Sequence, residues 1–205
     1  MNHNTPVPPP LVSAHGLSYS HPGRDLFAQL SFDIRPGLTL VQGGDGRGKS
    51  TLMRMLAGQL APQAGSIVQR AVTVFNGLLP PATDDQTVTQ AWLTAHQQLH
   101  VAWDERQAAG LAQAFGLHEH LQKPLFMLST GSRRKLGLVA AAASGAQLTL
   151  IDSPYAGLDA AACRVLTALL LQAAADAQRG WVMADHQLPA GMQRSHLVGL
   201  VDLGD

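Results

Sequence analysis

The sequence predicts an α/β fold, a mostly parallel core sheet preceded by a β-rich N-terminal part and interrupted by a short helical subdomain. Three observations carry this expectation. Compact apolar runs of strand length, LTLVQG, QLTLI and GWVMAD, alternate with longer runs of helical periodicity. A glycine-rich turn, GGDGRGKST, joins the first of those runs to a helix. The chain also opens on two stretches with period-two alternation, where a helix-first fold would show a period of 3.6.

Taken in order, the elements follow from local pattern. MNHNTPVPPP holds no apolar core and neither Lys nor Arg, so it reads as a flexible Pro-rich leader over residues 1–10 and not as a secretory signal. LVSAHGLSYSH and DLFAQLSFDIRPG read as short strands joined by a turn at His21-Pro22-Gly23. LTLVQG is a buried strand, and KSTLMRMLAGQL is the helix it feeds. SIVQR and AVTVF are strand-like. Residues 88–121 turn helical, with Trp92, Leu93, Leu99, Trp103, Leu111, Phe115 and Leu117 as core candidates, within a helical insert expected over about residues 88–135. LSTGSRRKLGLVAAA opens a helix, QLTLI is a strand, AAACRVLTALLLQAAADAQ is a helix, and GWVMAD and HLVGLVDL close the sheet. One domain over residues 11–205 accommodates all of it.

Composition narrows the function classes. With 205 residues, 46% of them hydrophobic, the chain can bury one sizeable core. Fourteen basic residues balance fourteen acidic ones, so no global field draws nucleic acid, and no motif for it is present. A lone cysteine, Cys163, leaves no internal disulfide and fits a reducing compartment. The most apolar long run, LGLVAAAASGAQLTLI, is broken by Ser, Gly and Gln, and reads as a buried helix followed by a buried strand, not as a membrane span. Any spans the protein works with belong to another chain.

GGDGRGKST fits the phosphate-loop pattern G-x-x-x-x-G-K-[ST] through Gly43, Gly48, Lys49 and Ser50. Glycines let the backbone N–H groups of Gly44, Asp45, Gly46, Arg47 and Thr51 turn toward phosphate oxygens, and the helix N-terminus adds its positive end. Lys49 would reach the β- and γ-phosphates, while the Ser50 hydroxyl would ligate Mg²⁺. A second metal ligand is then needed, and Asp152, ending QLTLI, is placed to be it, because strand ends gather at one edge of such sheets. LSTGS, alone, would be an ordinary helix cap.

Taken together, these motifs resemble the ATP-binding cassette (ABC) ATPases. LSTGS (residues 128–132) resembles that family's LSGGQ signature, Ala156-Gly157-Leu158-Asp159 its D-loop, and His186 its switch histidine. The resemblance runs from about residue 11 onward, with five motifs in the family's order. It implies a P-loop NTPase fold of ABC type, ATP and Mg²⁺ as ligands, and a head-to-tail pair with itself or a homologous ATPase. In that pair Ser129, Thr130 and Gly131 of one chain cover the ATP held by the other. It also implies a transmembrane permease partner and a cytoplasmic, membrane-peripheral location. Compact length, a short insert and the ending around HQLP are similar in particular to ATPases of the haem exporters used in cytochrome c maturation.

Three positions depart from the family pattern. His21 stands where an aromatic usually stacks on adenine, with Tyr19 as the alternative on the same strand face. Asn76 occupies the Q-loop position with a side chain one methylene shorter than glutamine. Ser153 stands directly after the metal aspartate, where the family places the glutamate that deprotonates the attacking water; a serine hydroxyl cannot take that proton near neutral pH. His186 and, less directly, Asp185 are the remaining groups for the water. Two functions from different classes follow: a transport-coupled ATPase, and a regulatory module that binds ATP and dimerises with little hydrolysis. Three further patterns read as structural: His96 and His100 and the run His118-Glu119-His120 as solvated helix surface, and Arg133-Arg134-Lys135 as the first turn of the signature helix, turned to the nucleotide interface.

Overall fold

Residues 9–76 and 86–204 are described by the structure, a computed structural model. Most of the expected leader, residues 1–8, lies outside them. Two sheets organise the chain. The first is antiparallel, in the order β2-β1-β4, from β1 (Val12–His21), β2 (Arg24–Ile34) and β4 (Ala64–Gln69). The second has the order β5-β6-β7-β3-β8 and is parallel throughout, from β3 (Gly37–Gln42), β5 (Thr73–Asn76), β6 (Leu148–Asp152), β7 (Gly180–Asp185) and β8 (Leu197–Asp202).

Burial on both faces explains why the strands of the second sheet are continuous apolar runs. Period-two geometry sends successive side chains to opposite sides. Val41, Leu148, Leu150, Val182 and Ala184 pack with β1 and with α1 (Lys49–Leu56) through Val12, Leu17, Leu52, Met53 and Leu56. Leu38, Leu40, Ile151, Trp181 and Met183 face the other way. There they meet α4 (Thr130–Ala143), α5 (Ala160–Ala174) and the insert helices α2 (Thr89–Leu99) and α3 (Glu105–Ala114). The parallel sheet is thus the middle layer, with the antiparallel sheet and α1 on one side and the remaining helices on the other.

Helix boundaries have side-chain causes. Asp104 accepts a hydrogen bond from the Gln107 amide and starts α3, Ser129 accepts one from Ser132 and starts α4, and Asp159 accepts one from Ala162 and starts α5. The insert holds two helices separated at His100–Asp104, then two short 3-10 turns, His118–His120 and Leu125–Met127. Among its core candidates, Leu93, Phe115 and Leu117 are buried and Trp92, Trp103 and Leu111 pack at the edge of the core, but Leu99 is 74% exposed because α2 ends there. β1 and β2, expected to be short, run ten and eleven residues and carry register shifts near Gly16 and Tyr19. Among the described residues, no helix is long and apolar enough to cross a membrane.

Candidate functional site

The cleft forms where β3 gives way to α1. Sheet pairing fixes its frame: Gln42 of β3 lies opposite Asp185 of β7 and Asp202 of β8, and the Gly44 amide donates to the Gly204 carbonyl at 2.9 Å. Gly48 has φ 95°, a left-handed conformation that any residue with a Cβ resists. A Cβ there would also sit 3.1 Å from Leu26 and 3.2 Å from the Phe27 ring. Glycine is therefore required twice over, once for its φ and once because the antiparallel sheet presses against the loop.

Lys49 is buried, and its Nζ donates to the carbonyls of Gly43 at 2.6 Å and Gly44 at 2.8 Å. The ammonium is thus fixed inside the curl of the loop. Ser50, Thr51, Asp45, Gly46 and Gly48 line the same cleft, together with His21, Leu26, Ser153 and His186. His186 Nε2 stands 3.3 Å from Asp45 Oδ1, which ties the residue after β7 to the phosphate loop. His21 meets the ring of Tyr19 edge-on, with centroids 5.4 Å apart, so the two rings do share one side of β1. Arg24 enters from the hairpin beyond His21, its guanidinium nitrogen 2.8 Å from where a Cβ on Gly46 would stand.

At the end of β6 the backbone does something the sequence does not announce. Ser153 has φ 46°, left-handed for a residue with a Cβ, a conformation costing about 1–2 kcal/mol. Its amide donates to the Ala184 carbonyl of β7 at 2.8 Å, and its carbonyl accepts from the Ala156 amide at 3.2 Å and from the guanidinium of Arg134. Its hydroxyl donates to Asp152 Oδ1 at 3.4 Å. Asp152 and the Ser50 hydroxyl offer hard oxygen donors, the set Mg²⁺ takes, so the residues present fit that ion. Asp185 is folded onto its own chain, its Oδ1 accepting from the His186 amide at 2.8 Å.

The signature segment lies apart from this cleft. Ser129 caps α4 and bonds to the Ser132 hydroxyl at 3.0 Å, and the missing side chain of Gly131 leaves room for the Gly157 carbonyl, 2.7 Å from where its Cβ would be. Asn76 is not among the residues lining the phosphate-loop cleft. It lines a neighbouring cleft with Trp92, His96, His100 and Gly137, and its Oδ1 takes the space of a Cβ on Gly137, 2.7 Å away. His96 and His100 are half-buried, not solvated: His96 stacks on Trp92 and His100 on Trp103, and burial, with His96 nearby, lowers the His100 pKa.

The basic run that opens α4 also turns inward. Arg133 donates to the Leu125 carbonyl at 2.7 Å, Arg134 to Ser153, and Lys135 to Asp159 at 2.7 Å. The Lys135 hydrogen bond, then the Ala162 amide, lowers the Asp159 pKa from 3.8 to about 2. Leu26 in the cleft lining, Arg24 beside Gly46 and Arg134 on the Ser153 carbonyl are contacts that sequence pattern did not single out. A hairpin cation beside a phosphate loop and a basic first turn were signals, but neither says which way a side chain points.

Comparison with known proteins agrees with this geometry. Residues 27–156 match the family model described as ABC transporter. A cytochrome c biogenesis ATP-binding export protein, CcmA, from Novosphingobium aromaticivorans is 38% identical over 138 residues, 66% of this chain and 68% of that one. The protein of the same name from Bordetella parapertussis is 34% identical over 181 residues, covering 82% of this chain and 79% of its own. Among solved structures, an ABC transporter ATP-binding protein from Pyrococcus furiosus superposes with a TM-score of 0.74 over 94% of this chain and 96% of its own, at 16% identity.

Proposed function

This chain belongs to the ABC transporter family, and on that footing we propose that it binds Mg-ATP, closes head-to-tail on a second ATPase chain, and so drives a membrane permease. The observation that carries the reading is a convergence. Three consecutive parts of one sheet edge, the loop after β3, the turn after β6 and the residue after β7, deliver Lys49, Ser153 beside Asp152, and His186 to a single cleft. Lys49 and the loop amides would hold the phosphates, with Ser50 and Asp152 as the magnesium ligands. When bound, the ion neutralises phosphate charge and fixes the oxygens. His186 would orient the γ-phosphate side once released from Asp45. His21 would lie against the base, more weakly than a larger aromatic ring.

Ser129, Thr130 and Gly131 stand away from their own chain's cleft, which supports their use across a dimer. The Ser129 cap and the free amides of the first turn of α4 make an anion site of the kind a γ-phosphate needs. The names of the relatives in cytochrome c biogenesis favour export as the direction of transport and haem-exporter chemistry as the specific case. Peripheral attachment to the cytoplasmic face of the membrane follows from the permease partner.

Hydrolysis is the weaker half. With Ser153 in the position of the base, a pair of identical chains would turn over slowly and remain closed, so an ATP-holding regulatory module is the second reading. Light scattering tests the shared-site geometry: Mg-ATP should convert monomer to dimer, because a ligand bound only by the closed state stabilises it by mass action. Ser129→Arg should abolish that dimer. A dimer indifferent to both nucleotide and substitution would refute the arrangement.

A further inference from the structure

Arg134 occupies a position that nucleotide binding does not require. It lies in the first turns of α4, which belongs to the signature segment, yet its guanidinium crosses to the turn after β6 and donates to the Ser153 carbonyl. That carbonyl belongs to the residue with φ 46°, immediately after Asp152 and immediately before Pro154. Proline gives the turn no amide to lock it from that side. What restrains Ser153 is therefore its amide on Ala184, the Ala156 amide on its carbonyl, and Arg134. Burial lowers the Arg134 pKa, and the charges of Asp152 and Asp185 raise it again. The guanidinium therefore sits among the two carboxylates that end β6 and β7.

The geometry points to Arg134 as a positioning residue: by gripping the Ser153 carbonyl it holds the left-handed turn that aims Asp152 at the magnesium ion. Relief of the φ at Ser153 would rotate its carbonyl and carry the Asp152 peptide with it. Arg134 blocks that rotation from outside the strand. Arginine suits the task because its planar fork grips an oxygen in a fixed direction and stays charged beside acids. A neutral turn at this place would have used glycine. The inference rests on the reading of Asp152 as the metal acid.

The test is the gain in ATP affinity that Mg²⁺ confers, taken as the ratio of ATP Kd in EDTA to that in Mg²⁺, measured by calorimetry on the whole chain. Removal of groups that orient a metal ligand typically costs ~10–100-fold in metal affinity. Arg134 acts through the backbone, so Arg134→Met should lower the ratio by at least about threefold, below that range. ATP affinity in EDTA should stay within about twofold of wild type, since Arg134 touches no phosphate-loop atom. Arg134→Lys should recover part of the ratio. In a Ser153→Gly background, where glycine adopts the turn unaided, Arg134→Met should cost less than about twofold. An unchanged ratio, equal weakening with and without metal, or a full-sized loss in the Ser153→Gly background would each overturn the proposal. Should Arg134→Met fail to fold, Arg134→Lys decides: a ratio identical to wild type overturns it. Wild-type protein that gains nothing from Mg²⁺ would remove the metal reading itself, and this inference with it.

Discussion

The loop after β3 and the turn after β6 lie at the same sheet edge and face one cleft, yet they are built in opposite ways. The first is made of backbone: its glycine takes a φ of 95° that glycine adopts freely, and its lysine is tethered to two carbonyls of its own curl. The second is a strained backbone turn held from outside. A serine with φ 46° is held by β7 on one side and by α4 on the other. One is a loop curled on its own lysine, seated on a strand between β7 and β8. The other keeps its geometry only while three elements stay docked. On the proposed reading, phosphate binding would rest on the loop after β3 and water chemistry on the turn after β6.

Lys49→Ala would break the comparison most severely. Loss of the fixed cation should weaken ATP binding on the order of 100-fold, about 3 kcal/mol, by calorimetry. It would also take the ammonium away from the Gly43 and Gly44 carbonyls, so melting temperature without nucleotide should fall too. Equal affinity in mutant and wild type would show that the cradle is not where the phosphates go.

Ser153→Glu sharpens the other side. General-base assistance is worth ~10²–10⁴-fold, and turnover should rise by at least about tenfold if the cleft is otherwise in order, the cautious end of that scale. The left-handed φ does not forbid it, because serine already bears the penalty of a Cβ there. Asp185→Asn should leave wild-type turnover unchanged, since that carboxylate is engaged with the His186 amide. Brisk wild-type turnover indifferent to both substitutions would mean that another residue handles the water.

The smallest effect concerns the cap of α5 and its tie to α4. Asp159 has its pKa lowered to about 2 from 3.8, first by Lys135 and then by the Ala162 amide. A lowered folded-state value means that its contribution is complete above pH 3.8 and is lost as pH falls from there toward 2. Lys135→Met should bring the Asp159 titration, followed by NMR, back toward 3.8. Both groups reach solvent, so added salt should do part of the same in wild type. A titration unmoved by Lys135→Met would assign the shift to the helix cap alone.

Sequence pattern made the cradle legible and the constrained turn only half so. G-x-x-x-x-G-K-S states its own chemistry because the glycines and the lysine that the curl needs lie at fixed spacing within one short segment. The parallel strands were equally plain, since burial on both faces leaves an unbroken apolar run. Arg134 was legible as a helix residue but not as a partner of Ser153, because that contact is a tertiary event between segments with no shared period. The exposure of Leu99 escaped for a related reason: period-3.6 reasoning extends a stripe but does not say where α2 stops. Half-burial of His96 and His100 goes with the stacking on Trp92 and Trp103; the first pair is an i, i+4 helix contact that spacing could have shown, the second lies beyond the end of α2.

The order of strands in the parallel sheet also governs when this protein can first hold its ligand. β3, which launches the phosphate loop, is flanked by β7 and β8, and the amide of Gly44 rests on Gly204. The letters of the loop are translated well before β7, β8 and Gly204, which shape them. At a synthesis rate of ~5–20 residues per second, roughly 8–30 s separate the two events. Through that interval the nascent chain carries the motif without the cradle. Nucleotide therefore cannot template the early stages of its folding, and the finished cleft acts as a checkpoint passed only once β7, β8 and Gly204 have been made.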